Sequence, residues 1–194
     1  MQTQLFTQAV HKIVSFLEKE KASYFIIGGL AVGALGEPRF TYDIDLSVLI
    51  QKDEIGIFLK RLQSASFKFD AREAILSASE FGSFRFFYKK VQIDVILVST
   101  DLEREAMRRS KKNLFLGKKI FFPTPEDLIL FKLIAGRPRD LLDAEAIVTR
   151  HKNKLDKTYL KKWARLICKK SQNPGVLDWL EERLRAMDAK KQWR

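Results

Sequence analysis

Ile26-Ile-Gly-Gly-Leu30 and, after a short interval, Arg39-Phe-Thr-Tyr-Asp-Ile-Asp-Leu46 are the stretch that decides the fold. The aromatic and β-branched run of residues 22–27 reads as a strand that ends at Gly28-Gly29, where the backbone can come close to an anion. Residues two apart in a strand project from one face, so Asp43 and Asp45 point together while Ile44 and Leu46 face the core. Two adjacent carboxylates repel unless a cation sits between them. Hard divalent ions such as magnesium bind one or two carboxylates together with substrate phosphate oxygens. The stretch therefore reads as a metal-nucleotide site.

Upstream, Phe6, Val10, Ile13 and Leu17 recur at helical spacing, with Lys12, Glu18, Glu20 and Lys21 on the wet side. Residues 30–35 suit a short helix, 41–50 a strand and 53–62 a helix. Residues 67–98 read mostly as strands, and the runs 83–88 and 91–98 form a hairpin about Lys89-Lys90. Asp94 is the one acid in the second run, on the face of Gln92 and Ile96. A carboxylate there needs a metal or a partner, with Lys89 or Lys90 as the ordinary choice. From Thr100 onward the chain reads as helical and basic: a helix over 101–112, a short strand over 118–122 and a helix start at Thr124-Pro-Glu-Asp127. Lys132 interrupts the otherwise apolar 128–135, and a further helix opens with Asp140 and Asp143. Leu160, Trp163 and Ile167 form one stripe, and Leu177, Leu180, Leu184 and Met187 another.

The chain has 194 residues, enough to bury a sizeable core in one domain or two small lobes. Its single cysteine, Cys168, excludes an intrachain disulfide and a Cys-rich zinc cluster; His11 and His151 lack the spacing of metal ligands. No apolar run approaches the ~20 residues of a membrane helix. The charge is strongly asymmetric. Residues 1–100 hold 12 basic and 11 acidic side chains, whereas residues 101–194 hold 24 and 13, so nearly all of the net +12 lies in the second half. That asymmetry points to a polyanionic partner, nucleic acid before membrane.

Gly28-Gly29, Asp43-x-Asp45 preceded by Arg39-x-Thr41, a later strand with Asp94, and Pro125-Glu-Asp-Leu-Ile-x-x-Lys132 leading to Arg139-Asp140-x-x-Asp143 make an ordered set. Over residues 22–148 it resembles the nucleotidyltransferase superfamily of polymerase-β type. Within that superfamily it is most similar to the AbiEii-like and MenT-like nucleotidyltransferases of bacterial toxin-antitoxin systems. The resemblance implies an α+β nucleotidyltransferase fold: a small mixed sheet flanked by helices, followed by a C-terminal helical lobe. Residues 1–100 would form the catalytic core, and 101–194 a mainly helical basic lobe that completes the nucleotide and acceptor site.

The implied reaction moves a nucleoside monophosphate from a nucleoside triphosphate to an acceptor hydroxyl, with pyrophosphate leaving in line. By resemblance, Asp43, Asp45 and Asp94 hold two magnesium ions, manganese being the alternative, and Asp94 helps to deprotonate the acceptor. Gly28, Gly29, Arg39, Thr41, Arg139 and Asp140 would bind substrate. Lys132 would contact the triphosphate, and Asp143 would orient Lys132 or the nucleotide. Many relatives carry Ser where this chain has Gly29, so phosphate binding at that position rests on backbone alone. With the basic second half, the implied partners are a nucleoside triphosphate, an RNA acceptor (tRNA first) and an antitoxin protein, with no membrane and a cytoplasmic location. The other readings are an inactive nucleotide- or RNA-binding module of the same fold and a transferase acting on a protein hydroxyl. Three aligned carboxylates favour chemistry over binding alone, and the +11 half disfavours a cationic antibiotic as acceptor.

Overall fold

Strand β1 (Ser23–Ile26), strand β2 (Asp43–Leu49), strand β3 (Ser83–Tyr88) and strand β4 (Val91–Leu97) form a mixed sheet in the order β1-β2-β4-β3. The outer pairs are antiparallel and the central pair β2–β4 is parallel. The computed structural model describes residues 2–189 of the chain. It divides into two units: one comprises the residues up to Ala31 together with Arg39–Pro123, the other Val32–Pro38 and the chain from Thr124 onward. Among the described residues no helix is long and apolar enough to cross a membrane.

In the first unit, alternation gives the sheet two unlike faces. Ile44, Leu46 and Val48 of β2 pair in register with Ile93, Val95 and Leu97 of β4; beyond them Phe86 and Phe84 of β3 pair with Ile93 and Val95, and all are buried. This face is covered by aromatic side chains from helix α1 (Gln2–Lys19), helix α3 (Ile55–Ser64) and the segment after it. Phe16 meets Phe58 and Phe67 at ring distances of 5.5 and 5.8 Å, and Phe67 meets Phe86 at 5.2 Å, all edge to face. Each such pair adds about 0.5–1.5 kcal/mol beyond the area it buries, which gives the phenylalanine-rich composition its structural use. The opposite face carries the polar row described below.

Helix α2 (Gly28–Leu35) begins at Gly28 itself, so the glycine pair lies in its first turn rather than in a preceding loop. A short 3₁₀ turn, Lys52–Glu54, precedes α3. The expectation of mostly strands over 67–98 holds for β3 and β4 but misses helix α4 (Ala71–Phe81). Asp70 caps it by accepting from the Glu73 N–H at 2.8 Å, its Ala- and Glu-rich body favours helix, and Gly82 ends it at φ 64°. Helix α5 (Asp101–Arg109) stops sooner than its basic pattern suggested. The following residues instead form a hairpin of strand β5 (Lys111–Phe115) and strand β6 (Lys118–Phe122).

The second unit contains helices α6 (Pro125–Ala135), α7 (Pro138–His151), α8 (Lys157–Ser171) and α9 (Gly175–Ala189). Thr124 caps α6, with Pro125 at its first turn as expected. Leu160 and Ala164 of α8 and Leu180 and Leu184 of α9 are buried, while Trp163, Ile167 and Leu177 are half-buried. The Met187 side chain lies outside the described residues.

Candidate active site

The polar face of the sheet brings three acids together. Asp45 of β2 stands opposite Asp94 of β4, which stands opposite Arg85 of β3, so one row crosses three strands. Asp43 pairs in register with Gln92. One carboxylate oxygen from each of Asp43, Asp45 and Asp94 lies within 4.8 Å of the others, and all three residues are half-buried. Thr41 donates from Oγ1 to Asp43 Oδ1 at 2.5 Å. Asp94 accepts from Arg85 Nε at 2.6 Å on one oxygen and from Gln92 Nε2 at 2.7 Å on the other. The hydrogen bond to Asp94, aided by the charges of Asp94, Asp43 and Asp45, raises the Arg85 pKa above its ordinary value. The three carboxylates make an acidic cluster, with Arg85 bonded to one of them. An all-oxygen donor set this closely spaced fits hard divalent ions.

Glycine is required beside these acids. Gly28 has φ +62°, and a Cβ built on it would lie 1.8 Å from Asp45 Oδ2. The carboxylate rests where a side chain would otherwise be. A Cβ on Gly29 would lie 2.7 Å from Thr41 Cβ and 2.8 Å from its Oγ1, with an Arg39 Nη1 nitrogen at 3.1 Å. The volume a serine would use at position 29 is thus already filled by the hydroxyl-bearing side chain of Thr41. Arg39 is half-buried and its guanidinium reaches the Phe40 carbonyl at 3.4 Å.

A separate charged cluster occupies the second unit. Lys132 of α6, 6 % exposed, places Nζ 2.9 Å from Asp140 Oδ1 and 2.8 Å from Asp143 Oδ2 on α7. Arg137 Nε donates to the other Asp140 oxygen at 2.5 Å. Burial pushes the Asp140 pKa up, but hydrogen bonds from Arg137 and Lys132, with their charges, outweigh it and hold the carboxyl below its usual range. Lys132, Asp140 and Asp143 are therefore brought together as one buried ion group, whereas Arg139 is exposed. Nearby, Asp127 accepts from Thr124 Oγ1 at 2.6 Å and from the Tyr159 hydroxyl at 2.5 Å, tying α6 to α8.

The family model for the nucleotidyl transferase AbiEii toxin of Type IV toxin-antitoxin systems matches residues 17–194. The chain belongs to the AbiEii nucleotidyltransferase toxin family. None of the curated proteins compared with it is similar enough to count as a relative. Among solved structures, the ANT(2″)-Ia complex with adenylyl-2″-tobramycin is 17% identical with a TM-score of 0.51, covering 97% of this chain and 99% of that one. The lincomycin-bound lincosamide antibiotic adenylyltransferase LnuA is 14% identical at 0.51, covering 72% and 94%. An antigenic nucleotidyltransferase-like protein from Paracoccidioides brasiliensis is 15% identical at 0.51, covering 90% and 91%. At such identities these likenesses establish the nucleotidyltransferase fold alone.

Two polar residues of the AbiEii-family site escaped the sequence reading. Asp94 lies on an inner strand and is paired by Arg85 and Gln92, not by Lys89 or Lys90 as on an edge; Lys89 instead supplies the φ 54° turn of the hairpin. A signal was available. In a hairpin with a two-residue turn the flanking residues pair, here Tyr88 with Val91, and counting back three on one strand and forward three on the other couples Arg85 to Asp94.

The Gly28 contact carries a prediction for this candidate site. Gly28→Ala should weaken any divalent-cation binding by the acid cluster about 10- to 100-fold, because Asp45 must leave its place. The left-handed backbone should add about 1–2 kcal/mol of destabilisation. Calorimetric magnesium titration and urea unfolding of the same variant check both effects.

Proposed function

We propose that this chain transfers a nucleoside monophosphate from a nucleoside triphosphate to a hydroxyl at an RNA end, tRNA before other RNAs. In this reading magnesium is the resident ion. The observation that carries it is the cluster of Asp43, Asp45 and Asp94 within 4.8 Å beside Gly28. When bound, a pair of divalent ions ~3.5–4 Å apart activates the attacking oxygen and neutralises the leaving one.

The residues of the chain supply the rest. Asp43 and Asp45 would hold the ions, and Thr41 fixes the Asp43 carboxylate. Asp94, steered by Arg85 and Gln92, would complete the ion site and take the acceptor's proton. The amide groups at the start of α2, where Gly28 lets Asp45 and Gly29 lets Thr41 pack against the backbone, receive phosphate oxygens together with Arg39. Within the second unit, the buried Lys132–Asp140–Asp143 group fixes α6 against α7, and Arg139 stands exposed on α7.

The RNA assignment is supported by α8. Lys162, Arg165 and Lys169 are exposed at three- and four-residue spacing on one side of the helix, and none forms an ion pair with an acid among the described residues. A cationic stripe of this kind suits a phosphate backbone. The ANT(2″)-Ia structure named above contains an adenylylated aminoglycoside, but a cationic drug would meet repulsion on such a stripe. Membership of a toxin family implies an antitoxin.

The test supplies each α-labelled nucleoside triphosphate with magnesium, adding total RNA or total protein as acceptor. Label is expected in the RNA. Label in protein alone, or no transfer to either, overturns the assignment. Replacing Lys162, Arg165 and Lys169 by Gln should lower the salt dependence of RNA binding by a slope of about 2–3, each lost phosphate contact contributing ~0.7–0.9. Filter binding over a salt series measures that slope.

A further inference from the structure

Two aromatic rings stand on either side of Thr41. Phe40 is 87% exposed and Tyr42 is 72% exposed, while the hydroxyl of Thr41 between them is turned onto Asp43. Single apolar residues on a surface are ordinary. Two large rings left in water at the mouth of a carboxylate cluster are not, because each forgoes the stabilisation of a buried aromatic.

What these rings can hold follows from the charges around them. Phosphate oxygens are taken up at the ion-binding acids and by Arg39 in the reading above, and the rings beside them carry no charge with which to hold a phosphate. A contact that keeps the end of a strand at this point has to be made through uncharged base faces. Bases stack on aromatic side chains with little regard to sequence, and single-stranded nucleic acids are held in this way on open surfaces. Rings as exposed as these do not line the concave pocket that a free nucleotide occupies.

We propose that Phe40 and Tyr42 form a stacking platform for the unpaired terminal base of the RNA whose hydroxyl is to be modified, with Thr41 linking the platform to Asp43. The proposal rests on the RNA-directed transfer argued above and extends it by assigning residues that position the acceptor. A platform that grips base faces makes the enzyme tolerant of which base is terminal, but intolerant of a terminal base locked in a duplex.

The test uses the full chain with magnesium, no triphosphate, and a short unpaired oligoribonucleotide bearing the fluorescent base 2-aminopurine at its 3′ end. Stacking quenches this base. Wild type is expected to quench it, and the double variant Phe40→Ala/Tyr42→Ala to abolish the quenching and weaken binding roughly 5- to 150-fold, the range for the loss of one stacked base. Phe40→Tyr and Tyr42→Phe keep the rings and should keep the quenching. Moving the 2-aminopurine to the 5′ end should remove it. Quenching that survives the double alanine variant overturns the platform. So does quenching of a 2-aminopurine nucleoside triphosphate in place of the RNA end. If wild type quenches through these rings yet labels no RNA, the transfer reading fails while the platform stands. If label transfer to RNA proceeds with an unchanged KM in the double variant, the platform fails while the transfer reading stands.

Discussion

Asp43→Asn is expected to abolish nucleotide transfer, by at least about 10³-fold, while leaving the fold intact. The amide keeps the shape of the side chain and can still bond to Thr41. It removes one of three charges from a cluster whose oxygens lie within 4.8 Å of each other. A loss of several kcal/mol of charge stabilisation in the transition state corresponds to that factor. Label transfer from an α-labelled triphosphate to RNA measures it, with circular dichroism as the folding control. Retention of even a tenth of the wild-type rate would show that the chemistry does not run through this carboxylate. The same substitution should not disturb quenching at the Phe40–Tyr42 platform, so the two functions separate cleanly.

The second large effect concerns stability. Lys132→Met leaves Asp140 and Asp143, 2% and 6% exposed, without the ammonium that lies 2.9 and 2.8 Å from them. Stranding buried charge in this way costs about 3–5 kcal/mol, whereas replacing all three by apolar residues of similar volume should recover much of the loss. Its pH signature distinguishes it from simple repacking. In wild type the folded-state pKa of Asp140 is lowered, so this group's contribution to stability is fully present above its unfolded pKa and is lost as pH falls through the lowered folded value. In the variant the hydrogen bond and charge of Lys132 are gone while those of Arg137 remain, so less of this pH-dependent stability is left and the deficit against wild type should narrow as pH falls from about 7 toward about 4. Trp163 and Trp179 belong to the second unit, so their fluorescence during urea unfolding reports on this unit. A variant whose midpoint deficit is the same at both ends of that pH range would argue against the ion group.

The Asp43–Asp45 pair was legible in the sequence because it is local and follows from a period of two, whereas Asp94 joins it through the parallel β2–β4 pairing, which only the family resemblance implied. Helix α4 was missed for a different reason. Phenylalanines on both sides of it suggested continuous strand, although Asp70, Glu73 and Gly82 carried an ordinary helix start and stop. The union of Lys132 with Asp140 and Asp143 could not be read from spacing at all. It depends on two helices folding back on each other across Gly136 at φ 65°, a packing event with no periodic trace in the chain. Phe40 and Tyr42 were quoted in the deciding stretch but passed over, since exposure is a property of the folded surface and not of residue type.

The contact between Gly29 and Thr41 couples two positions that sequence treats as independent. A side chain at 29 and the one at 41 compete for a single volume, because a Cβ on the first would lie 2.7 Å from that of the second. The hydroxyl nearest the start of α2 can therefore be contributed by the helix or by the segment entering β2, but not by both at their present separation. Across a lineage the two sites should behave as a seesaw. A serine appearing at the glycine is admissible only with a shrinking or withdrawal of the threonine, and a change at either site that ignores the other will surface first as a displaced Asp43.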